Sequence, residues 1–163
     1  MYKTKLNRIL NLIENIKNDI NLPIISDFLE WFFEKIDIHF NNSENNLIIN
    51  KGEIYYAKLG RNIGKELNKT RPCLVYSTKI YNRGDTILVI PLKSYKGKIN
   101  TILNTFIKSG NNNLTLDSIS DLCALKQISK KRLLNKIGNL SENDLIKIDR
   151  KIVNILGIIK EKI

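Results

Sequence analysis

Apolar residues recur at Leu6, Ile9, Leu10, Ile13, Ile16 and Ile20, in steps of three and four that line one face of a helix. Asn21-Leu22-Pro23 is expected to end that helix, because proline disfavours helical geometry in the residue before it. A second helix is expected from Ser26 or Asp27, where Asp27 and Glu30 stand in capping-box spacing. It carries Phe28, Leu29, Trp31, Phe32, Phe33, Ile36 and Phe40, which include the only tryptophan and four of the five phenylalanines. So much aromatic surface must pack on the first helix, on the rest of the chain or on a partner. The polar stretch Asn41–Asn46 then reads as a linker.

From Lys51 the pattern shortens to β-prone runs: Glu53–Leu59, Cys73–Ser77, Thr86–Leu92, Asn100–Ile107 and Leu116–Ile128. Turn chemistry separates them at Gly60–Asn68, Asn82–Asp85 and Ser109–Asn113. Several short strands with irregular loops predict a small, strongly bent sheet or barrel. Ser141-Glu142-Asn143-Asp144 introduces a last helix, with Leu145, Ile148, Ile152, Ile155 and Leu156 on one face. The organisation expected is a helical extension with its linker over residues 1–46 and a main domain over residues 47–163.

Composition and charge narrow the class. With 163 residues, 42% of them apolar, the chain can bury a core without covalent staples. No apolar run approaches the length of a membrane helix and no signal-peptide core follows Met1, so a soluble protein of the cytoplasm is expected. Cys73 and Cys123 cannot build a disulfide framework, have no metal-ligand spacing, and read as buried strand residues. The single histidine, His39, rules out a two-histidine ribonuclease site and reads as a surface residue of the extension. Residues 1–50 carry a net charge of −2 and residues 51–163 a net charge of +13. A module that basic has a polyanion as its first-choice partner.

Gly60-Arg61-Asn62-Ile63-Gly64-Lys65-Glu66 mimics a phosphate-binding P-loop. However, it has one residue too few between the glycines and a glutamate where the Mg²⁺-holding hydroxyl belongs, so a loop between strands is expected. More informative are three blocks in order. They are Lys51-Gly52-Glu53 through Leu59 with Gly64-Lys65-Glu66 and Arg71-Pro72-Cys73-Leu74-Val75; Leu88-Val89-Ile90-Pro91-Leu92-Lys93-Ser94; and Leu122–Leu133 with Gly138-Asn139-Leu140-Ser141. Together they resemble the MazF/PemK (Kid) toxins, endoribonucleases of bacterial toxin–antitoxin pairs, over about residues 51–157. The resemblance implies an α+β fold: a small SH3-like barrel with a C-terminal helix, here preceded by an N-terminal helical hairpin. It also implies a homodimer, a single-stranded RNA substrate, a cognate antitoxin and no metal or other cofactor.

In the implied reaction the ribose 2′-OH attacks its own 3′-phosphate, leaving a 2′,3′-cyclic phosphate and a 5′-OH. That step asks for a proton acceptor, positive charge on the phosphorane and a proton for the leaving oxygen. Arg71 matches the family's catalytic arginine, and its guanidinium suits two phosphate oxygens. Glu66 matches a loop glutamate that either accepts a proton or orients Arg71. Lys93 stands where most members place a threonine, as a second phosphate-binding cation or an amine of lowered pKa. The hydroxyl appears one position on, at Ser94, where many relatives also carry Ser or Thr; Ser94 is therefore a further catalytic candidate, although in a strand it points to the face opposite Lys93. Lys96 and Lys98 follow in a loop where the family lines its RNA groove, and Tyr81 and Tyr95 are the tyrosines best placed to stack bases. Lys130-Lys131-Arg132 reads as a solvated helix start. The rival readings are a nucleic-acid-binding relative that does not cleave and a gyrase-poisoning toxin of the same fold. For the extension, packing on the barrel is the default, with dimerisation, antitoxin docking or cover of the groove as alternatives.

Overall fold

A computed structural model describes residues 2–41, 48–110 and 113–158. The chain divides into two compact units, Met1–Asn42 and Ser43–Ile163.

The first unit holds helices α1 (Tyr2–Ile16) and α2 (Leu22–Asn41). Helix α1 stops earlier than its apolar spacing predicts because Asn18 and Asn21 build a polar turn. The Asn18 side-chain oxygen accepts from the Asn21 N–H at 2.8 Å, and the Asn21 amide donates to the Ile16 carbonyl at 2.9 Å. Pro23 begins a helix rather than ending one. In the first turn its missing N–H would have no intrahelical partner anyway, so α2 starts at Leu22, and Asp27 and Glu30 lie inside it instead of capping it. Trp31 and Ile38 are buried, whereas Phe32, Phe33 and Phe40 remain exposed, as does His39. Of the stretch read as a linker, all but Asn41 lies outside the described residues. Among the described residues no helix is long and apolar enough to cross a membrane.

The second unit is built from β1 (Glu53–Lys58), β2 (Thr70–Val75), β3 (Thr86–Ser94), β4 (Asn104–Ile107), β5 (Ser118–Asp121), β6 (Lys126–Ser129), β7 (Leu133–Asn139) and helix α3 (Glu142–Ile155). Pairing is antiparallel in the order β4-β5-β3-β2-β1-β7, with β6 also on β3. The long strand β3 is shared: Thr86–Val89 pair with β6, and Leu92–Ser94 pair with β5. A three-residue 3₁₀ turn, Lys130–Arg132, joins β6 to β7. The strands β6, β3, β2, β1 and β7 are thus paired edge to edge in that order, and the turn links the two ends β6 and β7, consistent with the strongly bent sheet or barrel expected from the sequence.

Alternation along the strands divides the apolar side chains between two faces. Tyr55, Ala57, Cys73, Val75, Ile87, Val89, Ile128 and Leu133 fill one core. Ile54, Leu74, Ile90, Leu92, Ile107 and Leu122 form the other, against Ile148 and Ile152 of α3. Ser141 caps α3 by accepting from the Asp144 N–H at 3.2 Å. Gly52 explains the glycine that opens the first block. It sits at φ +94°, and a Cβ there would lie 2.9 Å from Leu145 Cδ1 of α3. Beside it Glu53 is 8% exposed. It accepts from the Asn50 N–H at 3.2 Å, the Asn50 amide at 3.2 Å, the Tyr55 hydroxyl at 3.0 Å and Lys136 Nζ at 2.8 Å. Burial pushes this carboxyl up, but the donors from Lys136, Asn50 and Tyr55 outweigh it and hold the group below 4.5.

Several expected elements change. Strand β2 begins at Thr70, so Arg71 and Pro72 lie in the sheet, while β4 begins only at Asn104. The run Leu116–Ile128 is two strands, broken by a 3₁₀ turn at Leu122–Ala124. Cys123 rides on that turn and is exposed, unlike Cys73. Strand β7 has no clear signal in the sequence because only Leu133 of its residues is buried. The basic triplet forms the 3₁₀ turn instead of a solvated helix start, with Lys130 buried, and Leu156 is exposed.

Candidate functional site

The loop between β1 and β2 carries the first candidate residues. It is knitted from within: the Asn62 N–H donates to Asn68 Oδ1 at 2.7 Å, and the Asn62 amide donates to the Leu67 carbonyl at 2.7 Å. Lys69 closes it in a left-handed conformation, φ 68°, with its N–H on the Gly60 carbonyl at 2.6 Å. A non-glycine residue is strained there, and the strain is held by the surrounding hydrogen bonds. The P-loop mimic is thus a loop between strands, as expected. The loop's product is a fixed arginine: Arg71 Nε donates to the Asn68 carbonyl at 2.6 Å. With Nε so engaged, the two terminal nitrogens of the guanidinium are left to face a ligand.

Alternation puts Lys93 on the same sheet face as Arg71. Pairing of β2 with β3 ends at Cys73 and Pro91; Arg71 and Lys93 each lie two residues beyond that pair, so both project to the face of Cys73 and Pro91. Lys93 Nζ lies 2.6 Å from Asp121 Oδ2, an ion pair whose aspartate side chain is 17% exposed. The ion pair fixes where the end of the Lys93 side chain sits. Asp121, the partner of Lys93, also lines a groove of about 600 Å³ with Lys65, Glu66, Pro91, Cys123 and Lys126 among others. Glu66 is exposed at its edge. The contact that holds Arg71 comes from the Asn68 carbonyl rather than from Glu66. Beneath the groove, burial pushes the Cys73 thiol up to about 12, only partly offset by the charges of Lys126 and Arg71. Cys73 is therefore an inert core residue.

The remaining candidates separate. Ser94 pairs with Ser118 and lies on the face opposite Lys93. Lys96 and Lys98 are exposed in the loop after β3. Tyr95 leaves β3 on the Lys93 face and meets Phe106. Tyr81 lines a different cavity, of about 640 Å³, with Lys51, Tyr76, Thr86 and Gln127. There Lys51 Nζ lies 2.7 Å from Asp149 Oδ1 of α3 and 4.4 Å from the Tyr76 ring centre, and the trio ties α3 to the barrel. Two groove residues escaped the sequence reading, Asp121 and Lys126. Their only sequence signal was a charge at either end of the apolar stretch Leu122–Leu125. Among the described residues no three His, Cys, Asp or Glu side chains gather as a metal site requires.

Residues 50–156 match the family described as PemK-like, MazF-like toxin of type II toxin–antitoxin system. The chain is 26% identical to endoribonuclease MazF6 of Mycobacterium tuberculosis over 114 residues, 69% of this chain and 100% of that protein. It is 28% identical to endoribonuclease EndoA of Bacillus subtilis over 114 residues, 69% of this chain and 98% of that protein. Among solved structures, MazF of Deinococcus radiodurans superposes with a TM-score of 0.59 at 16% identity, over 69% of this chain and 99% of that one. An endoribonuclease from a mycobacterial species, solved with its cognate antitoxin, superposes with a TM-score of 0.54 at 19% identity, covering 69% and 99%. At those identities the structures speak for the fold alone.

Proposed function

Because this chain belongs to the PemK-like, MazF-like toxin family of type II toxin–antitoxin systems, we propose that it is an endoribonuclease toxin that cleaves single-stranded RNA without a metal ion. It acts in the cytoplasm as a homodimer and is neutralised there by a cognate antitoxin. The observation that carries this reading is the pair of cations on one sheet face: Arg71 anchored by the Asn68 carbonyl, and Lys93 anchored by Asp121.

The chemistry follows from those anchors. The ribose 2′-oxygen attacks the adjacent phosphorus as its proton passes to a base, for which Glu66 at the groove edge is the candidate. Negative charge grows on the non-bridging oxygens of the phosphorane, where the Arg71 fork and the Lys93 ammonium stabilise it. The bond from phosphorus to the 5′-oxygen then breaks and that oxygen takes a proton, for which an Arg71 N–H is the candidate donor, the guanidinium regaining its proton from solvent as Glu66 releases the one it accepted. Ser94, facing away, has no part in this step. Lys96 and Lys98 hold flanking phosphates, which sets position rather than sequence preference.

The test is to incubate the purified full chain with a long single-stranded RNA in EDTA, alongside Arg71→Ala. Discrete fragments ending in cyclic phosphate and 5′-OH are expected from the wild type, with at least a 100-fold slower reaction in the variant, on the order of losing one preorganised charge-stabilising donor. Intact RNA with the folded, antitoxin-free wild type would refute cleavage. Retained binding in that case would identify a non-cleaving relative.

A further inference from the structure

The face of the sheet that carries Lys93 does not end at the ion pair. Pairing puts Lys93 opposite Ile119 on β5, and Ile119 opposite Phe106 on β4, so the three form one row across the strands. Tyr95 continues the face beyond Ser94, where its N–H donates to the Asp117 carbonyl at 2.8 Å. The residues of the opposite face, Leu92, Ser120, Thr105 and Ile107, are buried. On the Lys93 face, by contrast, Tyr95 is 36% and Phe106 39% exposed. Their rings meet edge to face, with centroids 5.1 Å apart and planes at 78°. In that geometry the ring that presents its edge to its neighbour keeps its own faces unblocked by it. From strand dimensions, Tyr95 lies about 7 Å along β3 from Lys93, and Phe106 about 10 Å across the sheet.

Two exposed aromatic rings at that distance from a paired cation, bordered by the exposed Lys96 and Lys98, fit a stacked base better than a phosphate or a sugar. We infer that Tyr95 and Phe106 form a stacking platform for one base of the bound RNA strand, next to the phosphate held by Arg71 and Lys93. This rests on the endoribonuclease reading and gives it a base-binding subsite. Stacking accepts any base, so the platform supplies affinity and strand direction, and leaves sequence choice to the surrounding loops.

The experiment uses the full chain and a short RNA spanning a mapped cleavage site, with single abasic positions placed in turn on either side of the scissile bond. One abasic position adjoining that bond should lower wild-type kcat/KM about ten-fold, within the range for loss of one stacked base. Phe106→Ala and Phe106→Leu should each raise KM by a similar factor with kcat within three-fold, and should make that abasic position silent. Phe106→Trp should restore affinity. The leucine variant keeps apolar contact with Tyr95 while removing the ring, so a loss shared by Leu and Ala and rescued by Trp separates stacking from simple packing. If the wild type cleaves RNA but the Phe106 variants are unchanged, or their effect adds to the abasic effect, the platform is refuted while the enzyme reading stands. An additive effect accompanied by dissociation of the protein in light scattering would assign the patch to contact between copies, also against the inference. Failure of the wild type to cleave would instead strike the underlying reading.

Discussion

Glu53→Gln isolates a charge whose surroundings are fully specified. The wild-type carboxylate accepts four hydrogen bonds at 2.8–3.2 Å while almost wholly buried. A glutamine has the same shape but offers one acceptor oxygen and an NH₂ group. At least one of the donors from Asn50, Tyr55 and Lys136 then faces another donor. Hydrogen bonds to a charged group contribute about 1.5–3 kcal/mol each, and a buried donor left unmatched costs about 1–3 kcal/mol. Lys136 counts for less, because its side chain is 40% exposed and recovers water when its partner goes. The net expectation is about 3 kcal/mol lost at neutral pH, or roughly 10 °C in the unfolding midpoint of a domain this size. Urea unfolding followed by circular dichroism measures it. The pH dependence is a second, independent readout. A carboxyl held below 4.5 in the native state contributes stability above its unfolded pKa, and that contribution is lost as pH falls through the native value. The gap between wild type and variant should therefore be constant from pH 7 to about 5 and close below about pH 4.5. Tyr55→Phe, which removes one donor and keeps the charge, should cost only about 1 kcal/mol. A gap under about 0.5 kcal/mol, or one that does not close in acid, would refute the reasoning.

Gly52→Ala forces a Cβ against Leu145 at a positive φ; a loss of about 2–3 kcal/mol is expected in the same urea assay, from the left-handed backbone together with overpacking. Asp121→Asn releases Lys93 while removing an anion from the groove, so steady-state cleavage should show a lower KM and a roughly ten-fold lower kcat; a change in KM alone would argue that Asp121 does not position Lys93. Deleting residues 1–46 should leave a folded barrel with its melting midpoint within a few degrees, since both core clusters of the second unit are made of residues 49–155. If the extension covers the groove, cleavage by this truncation should also rise; unchanged activity in the folded truncation would remove that role.

How far a residue could be read from the sequence depended on whether its signal was local. The first block was legible because Gly52, Glu53 and Arg71 owe their types to demands close by: a backbone that L-side chains avoid, a buried acceptor, and a loop carbonyl waiting for a guanidinium. Ser94 was a catalytic candidate by resemblance, although the period-two alternation of β3 already set it on the face opposite Lys93. Strand β7 was hidden because its residues show no alternation of buried and exposed positions: only Leu133 is buried, and the ladder to β1 carries register shifts. Pro23 carried an ambiguous signal, since the same residue ends one helix or starts another. Phe106 has no signal of its own inside the run Asn100–Ile107, and only the register sets it beside Tyr95.

Lys93 shows where local reading runs out. Alone, it is a departure from the threonine that the family resemblance leads one to expect, and its chemistry stays open between amine and cation. Its partner Asp121 lies 28 positions away, inside a run that looked like a single strand. Only after that run breaks into β5, the turn at Leu122–Ala124 and β6 does the carboxylate come within 2.6 Å of the ammonium. An uncompensated lysine next to Arg71 would place two like charges on one sheet face and raise the energy of the empty site. Asp121 offsets that repulsion and fixes the ammonium at the same time. The lysine and the aspartate are therefore best treated as one unit, and a substitution that restores threonine at position 93 should be made together with one that removes the charge at position 121.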